Sequence, residues 1–207
     1  MLLPSLLEAS NRLAVELRAL LNVPLFDGSE RTRVSEVARS MSLEHWDATR
    51  AMLAGAMLPS ALVVHRAQFE ALLRSVWVLY AAAESSVAKL DAALNTDSEQ
   101  AAKNLPMVKE MMDVLATKAP SQVFEALTRF KDGSWKALNS YAHAGLHPLQ
   151  RHAKGYPEDL SAAVLRNANG LAIVAGMQGA VLSGQQSLMG RILTLGISQP
   201  SIMPALL

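Results

Sequence analysis

The chain contains no cysteine. That excludes disulfides, thiolate catalysis and cysteine-based zinc sites together, and it fits a reducing compartment; the expected location is the cytoplasm. Charge of either sign is also scarce. Asp, Glu, Lys and Arg make up 18% of the 207 residues, against about 25% in an ordinary soluble protein. The 19 basic and 18 acidic residues leave a formal net charge of +1. Nothing therefore draws the chain as a whole to DNA or to an anionic membrane surface, and any anion binding has to come from a local cluster. Strand signals are missing too, with no sustained two-residue alternation and no Asn-Gly hairpin turn. There is no internal repeat and no low-complexity tract. The most apolar segments, 51–64 and 170–183, are shorter than the roughly 20 residues of a spanning helix, so no membrane association is expected. The opening MLLPSLLEAS lacks a basic start and carries Glu8, unlike a signal peptide.

What the chain has in quantity is apolar residues, 51% of the total, arranged with helical periodicity. The expected fold is all-α: one domain over 1–207, a bundle of seven or eight helices. Its long central helices lie near 59–83, 121–144 and 158–184, with 84–120 as a peripheral excursion. A first helix over 5–22 ends at Val23-Pro24. Ser29 caps a short helix through Arg39, and Ser42 caps another that runs to Leu58. Pro59 opens the central helix, where the first-turn N–H groups have no partner to lose. The 121–144 helix runs through Gly133, because the apolar phase of Leu127 and Phe130 continues to Leu138 and Tyr141. Gly145 is the expected left-handed C-cap. In the last long helix Ala168, Ala172, Gly176, Ala180 and Gly184 recur every four residues. That smooth row admits a close neighbour, either the central helix or a second subunit. With the low charge content it predicts a homodimer.

Two polar stripes stand out. Arg66, Glu70, Arg74 and Trp77 fall in one sector of an otherwise apolar helix. Read structurally, they are a strip of i,i+4 ion pairs; read functionally, Glu70 neutralises one arginine and leaves the other for an external anion. The second stripe is Lys136, Asn139, Ser140 and His143, with Tyr141 beside it and His147, Arg151 and His152 following. Three of the five histidines lie within ten residues. His143 and His147 have a metal-ligand spacing, with Glu70 as a conceivable third ligand, but Gly145 and Pro148 break the helix between them, and HAGLH lacks the adjacent glutamate of HExxH. No metal or other cofactor is therefore expected. Convergence of Lys136, Arg66, Arg74, His143, His147 and Arg151, with Trp77 or Tyr141 as a stacking face, suits phosphate, and a histidine among arginines can act as general acid or base on RNA. His143, Arg66 and Glu70 are the candidates for such catalysis. His143 capping a helix C-terminus needs no ligand at all.

SALVVHRAQFEALLRSVWVLYAA and WKALNSYAHAGLHPLQR together resemble an uncharacterised family of bacterial all-helical proteins. It is marked by R-x3-E-x3-R followed by N-x-Y-x-H-x-G. The matching positions are Arg66, Glu70, Arg74, Asn139, Tyr141, His143 and Gly145, within about 43–184. The resemblance implies the fold and no activity. More distantly, an arginine–histidine centre in a helical bundle resembles the HEPN group of nucleotide-binding and RNase domains found in defence and toxin systems. That resemblance implies a nucleotide or RNA partner. The HEPN signature places an arginine four to six residues before the histidine; here Lys136, seven before His143, is the nearest cation. Three functions follow in order: a non-catalytic binding or structural module, a HEPN-like nucleotide- or RNA-acting protein, and a metal-dependent activity through His143 and His147.

Overall fold

The computed structural model describes residues 3–205. These form ten α-helices and a closing 3-10 turn, with no strand among them. In order they are α1 (Leu3–Leu21), α2 (Glu30–Ala54), α3 (Leu58–Tyr80), α4 (Glu84–Asp91), α5 (Thr96–Ala102), α6 (Val108–Lys118), α7 (Ser121–Ala142), α8 (Leu146–Lys154), α9 (Glu158–Leu182) and α10 (Gln186–Ile197), then the turn Pro200–Ile202. The fold is all-α, as the periodicity indicates, with more helices than seven or eight because the 84–120 and 143–157 regions each carry short ones.

The α2–α3 hairpin is the most extensive helix pairing. Ser29 caps α2 by accepting from the Thr32 N–H, as expected. The break expected before Ser42 is absent: α2 runs unbroken through it. Ser42 is buried, and its hydroxyl donates to the Gln68 carbonyl of α3 at 2.9 Å. The buried seam of α2 is Thr32, Ser35, Arg39, Ser42, Trp46, Thr49 and Leu53, alternating three and four apart as in a coiled coil. Four of its residues, Thr32, Ser35, Ser42 and Thr49, are polar and small, so an apolar stripe cannot be read through them. The facing seam of α3 has the same character, with Ala61, His65, Gln68, Leu72 and Ser75 buried. Close approach of the two helices follows from these small groups, two polar rungs fix their register, and a third ties α2 to α1 and α9.

In the first rung the Ser35 hydroxyl meets the Ser75 carbonyl and hydroxyl, both at 3.0 Å, and accepts from Gln178 Nε2 of α9 at 3.3 Å. In the second, beside the Ser42 bond, Gln68 Nε2 donates to the Ala168 carbonyl of α9 at 2.9 Å while its Oε1 lies 3.0 Å from His65 Nδ1. In the third, Asn169 of α9 gathers Ser10 of α1, Trp46 of α2 and the carbonyl of Ile202.

Helix α9 is long and apolar enough to cross a membrane by length and composition. In this fold it is a core helix, packed against α1, α2, α3 and α10. Its small-residue row is covered within the chain: Ala168 and Ala172 are fully buried, and a Cβ on Gly176 would lie 2.8 Å from Leu17 Cδ1 and 3.1 Å from Ile192 Cγ2. Gly176→Val is expected to lower stability by about 2 kcal/mol through overpacking. Gly133→Ala, at an exposed position of α7 where a Cβ meets nothing, is expected to raise it by up to about 1 kcal/mol. Urea unfolding of both variants measures the contrast.

Helix α7 does continue through Gly133. At its end the left-handed residue is Ala144, with φ of 49°, and not Gly145, with φ of −75°. Gly145 is needed for space: its N–H donates to the Ser140 carbonyl at 2.7 Å, and a Cβ there would sit 2.7 Å from Ser140 Oγ. Pro148 lies in the first turn of α8, where its missing N–H costs nothing. In the 84–120 region, α6 inserts Met111, Met112 and Leu115 into the buried cluster, whereas α5 buries no residue.

Candidate functional site

The α3 stripe is engaged by its own chain. Arg66 Nε donates to Glu70 Oε1 at 3.0 Å, and the guanidinium lies 4.9 Å over the Trp135 ring of α7. Arg74 stacks 5.3 Å over Trp77, itself buried, and donates from one terminal nitrogen to the Pro106 carbonyl at 3.0 Å. Burial pulls the Arg74 pKa below the usual guanidinium value, and Glu70 one turn back works against that shift. Each arginine therefore rests on an indole, with the ring quadrupole and a carboxylate or carbonyl as counter-charge. The α3–α7 contact is aromatic where it carries this stripe. Phe130 lies 4.8 Å from Phe69 and 5.1 Å, edge-on, from His65, and Trp135 lies 5.6 Å from Phe69.

The second stripe lies at the far end of α7. Lys136, His143, His147 and Arg151 are exposed, Asn139 is half-buried and Tyr141 is buried. His143 is the C-cap residue of α7, its N–H bonded to the Asn139 carbonyl at 3.2 Å, and the His147 N–H donates to Ser140 Oγ at 3.2 Å. Burial raises the Tyr141 phenol above its ordinary pKa; nearby Arg151 opposes that shift and Tyr156 adds to it. His152 Nδ1 lies 2.9 Å from the Tyr156 hydroxyl. The turn from α7 into α8 and back towards α9 thus assembles Tyr141, Arg151, His152 and Tyr156.

No hydrogen bond or ion pair among the described residues joins Arg66, Glu70 or Arg74 to Lys136, Asn139, His143, His147 or Arg151. His143 and His147 stand on different helical segments, and no group of three or more His, Asp or Glu side chains able to hold a metal occurs among the described residues.

A sequence model of one family, described only as a family of unknown function, matches residues 39–205. The chain belongs to that family, DUF6988. The match runs from the middle of α2 past the closing 3-10 turn, so it takes in both stripes and all of α9 and α10. It is wider than the 43–184 span of the motif resemblance, and it lends nothing to the HEPN resemblance. No curated protein and no solved structure matches the chain.

The motifs of this DUF6988 chain overlook a third polar group, on α2. Arg50 stacks 4.5 Å over Trp46, donates to Asn11 Oδ1 at 2.5 Å and pairs with Asp47, which also binds Arg18 of α1. Arg39 pairs with Glu36 one turn back and lies across Gly179 of α9, where a Cβ would come 3.3 Å from its Nε. Between α1 and α2, Arg18, Arg39 and Asp47 line a cleft of about 570 Å³ with Asn22, Ser40 and Glu44. The acid-x-x-Arg spacing of Glu36/Arg39 and Asp47/Arg50 is the sequence signal that marks it. Likewise Tyr156, four residues after His152, is the member of the α7–α8 cluster that motif reading passes over.

Proposed function

We propose that this DUF6988 chain is a non-catalytic helical binding module whose ligand face is the α7–α8 corner, and that its ligand carries phosphate, as RNA or a nucleotide does. The observation that carries the reading is the state of the charges there. Lys136, Arg151 and Lys154 are exposed and make no ion pair with a carboxylate among the described residues. The whole segment 133–157 contains no Asp or Glu but three histidines. Exposed cations in one acid-free segment meet a phosphate at little desolvation cost. Exposed Leu146 and Leu149 flank them as apolar contact surface.

A nuclease reading draws less support. It needs Arg66 and Arg74 beside His143, and those arginines are occupied by Glu70, two indoles and the Pro106 carbonyl.

Fluorescence anisotropy with a labelled single-stranded oligoribonucleotide tests the proposal. Wild type binds at low salt and weakens as salt rises, and Lys136→Glu/Arg151→Glu/Lys154→Glu weakens binding about tenfold or more. Intact RNA after incubation is part of the expected result. Failure of wild type to bind RNA, nucleotide or inorganic phosphate overturns the ligand face. RNA cleavage that His143→Ala abolishes overturns the non-catalytic assignment.

A further inference from the structure

The α1–α2 cleft contains an arginine that is only half engaged. Arg39 is 7% exposed. Glu36 takes its Nε, at 2.6 Å, and its Nη2. Glu36 does not line the cleft, whereas Arg39 does. The remaining nitrogen, Nη1, is buried and has no hydrogen-bond partner among the described residues. The side chain is held by its neighbours, with Glu36 on one edge and Gly179 of α9 so close that a Cβ there would come 3.3 Å from Nε. The cleft offers three more groups that are not engaged. Asn22, Ser40 and Glu44 line it, are exposed, and make no side-chain hydrogen bond or ion pair among the described residues. Ser40 and Glu44 are one turn apart on α2 and so share a face. Asp47, in contrast, is already paired with Arg18 and Arg50. At about 570 Å³ the space has the size of a small-molecule site.

We propose that this cleft binds a free α-amino acid. The ligand carboxylate accepts from Arg39 Nη1 and the Ser40 hydroxyl, and its ammonium donates to Glu44. The charges of the walls decide the ligand class. Arg18 and Arg39 balance Glu44 and Asp47, so the cleft draws neither a bare phosphate nor a bare cation. A small molecule with both signs meets an unpaired N–H donor and an unpaired carboxylate at once. A buried N–H without a partner carries the desolvation cost of that group, and a carboxylate oxygen removes it through a charge-assisted bond. Glu36 and Gly179 fix Arg39 beforehand, so little side-chain freedom is lost when the ligand arrives. No lining residue belongs to 133–157, so this ligand is distinct from the one bound at the α7–α8 corner.

Thermal unfolding of the full chain with each common α-amino acid at millimolar concentration, followed by calorimetric titration of those that stabilise, tests the site. At least one is expected to raise the thermal midpoint at neutral pH. Its N-acetyl and its amide derivatives, which each lack one charge, bind about tenfold more weakly or worse. Glu44→Gln weakens the free amino acid about tenfold and leaves the N-acetyl derivative unchanged. Arg39→Met abolishes binding. That residue is buried, so its fold is checked by circular dichroism. Ser40→Ala/Glu44→Gln, at two exposed positions, keeps the ligand-free midpoint of wild type and decides the matter even where Arg39→Met does not fold. No midpoint shift and no binding heat with any α-amino acid overturns the proposal. So does binding that survives unchanged in Ser40→Ala/Glu44→Gln, or an N-acetyl derivative that binds as tightly as the free amino acid. Glucose bound equally by wild type and Glu44→Gln would replace the zwitterion with a neutral polyol and overturn the ligand class.

Discussion

Asn169→Leu is expected to lower the unfolding free energy by about 4 kcal/mol, a large share of the roughly 5–15 kcal/mol of an ordinary domain. Asn169 is fully buried. Its Oδ1 accepts from Ser10 Oγ at 2.6 Å and from Trp46 Nε1 at 2.9 Å, and its Nδ2 donates to the Ile202 carbonyl at 2.9 Å. One side chain thereby ties α1, α2, α9 and the closing turn. Leucine keeps the volume and strands three groups. The costs are unequal. The Ser10 hydroxyl can rotate towards a carbonyl of its own helix. The Trp46 indole N–H can only donate and is held in place under Arg50, so it carries the full desolvation penalty. The Ile202 carbonyl, on a buried residue, loses its side-chain partner as well. Adding Trp46→Phe to Asn169→Leu is therefore expected to recover part of the loss, although Trp46→Phe alone destabilises. Urea unfolding of the three variants measures this. A loss below about 1 kcal/mol for Asn169→Leu, or no recovery in the double variant, would show that the hub does not act as described.

The second large effect is acid lability centred on His65. This side chain is buried, and burial lowers its pKa to about 4, with the Gln68 hydrogen bond acting in the opposite direction. Its tautomer follows from a chain of contacts. The Ala168 carbonyl requires Gln68 Nε2 as donor, so Gln68 Oε1 is an acceptor and His65 Nδ1 must carry the proton. Nε2 is then a bare lone pair with no partner, on a ring packed at right angles to that of Phe130. Protonating it would place an unpaired N–H and a charge in the aromatic core. The folded-state value lies below the unfolded value near 6.5, so the unfolded chain takes up the proton first. The stabilisation is complete above pH 6.5, declines as pH falls from 6.5 towards 4, and is gone below that. The total is about 3 kcal/mol at roughly 1.4 kcal/mol per pH unit. His65→Gln keeps a donor for Gln68 and removes the titration. Unfolding free energies measured across this range should fall more steeply for wild type than for His65→Gln, and parallel slopes would rule the imidazole out.

The helices that begin at proline or end at a tight turn were legible in the residues. Pro59 stands in the first turn of α3, Pro157 is the N-cap residue of α9, and the α7–α8 break falls at His143 to Gly145. In each the apolar spacing agrees with the local signal. The α2 helix was not legible as one piece, because Thr32, Ser35, Arg39, Ser42 and Thr49 occupy its buried seam. Such residues mark a cap when solvent surrounds them, and only the facing carbonyls and Gln178 make them core. The Arg66–Glu70 pair could be read from its four-residue spacing. That Arg66 would rest on Trp135 could not, since the meeting depends on how α7 crosses α3. Nor could it be read that no hydrogen bond or ion pair joins the two polar stripes among the described residues, since the sequence alone allows them to converge. The glycine at 145 misled for a steric reason: it makes room for the Ser140 side chain, while the left-handed residue is Ala144.

The polar rungs of the α2–α3 hairpin set an order on vectorial synthesis. The bond from Gln68 to Ala168 spans 100 residues, Trp46 to Asn169 spans 123, Ser35 to Gln178 spans 143 and Ser10 to Asn169 spans 159. During translation α2 and α3 leave the ribosome long before α9 exists. The Ser35 and Ser42 hydroxyls can already donate within the hairpin, but the Gln68 amide and the Trp46 indole must stay bound to water until the C-terminal part of the chain arrives. The hairpin that looks like the nucleus of the finished molecule is, in the order of manufacture, an unfinished half waiting for the helix that closes it.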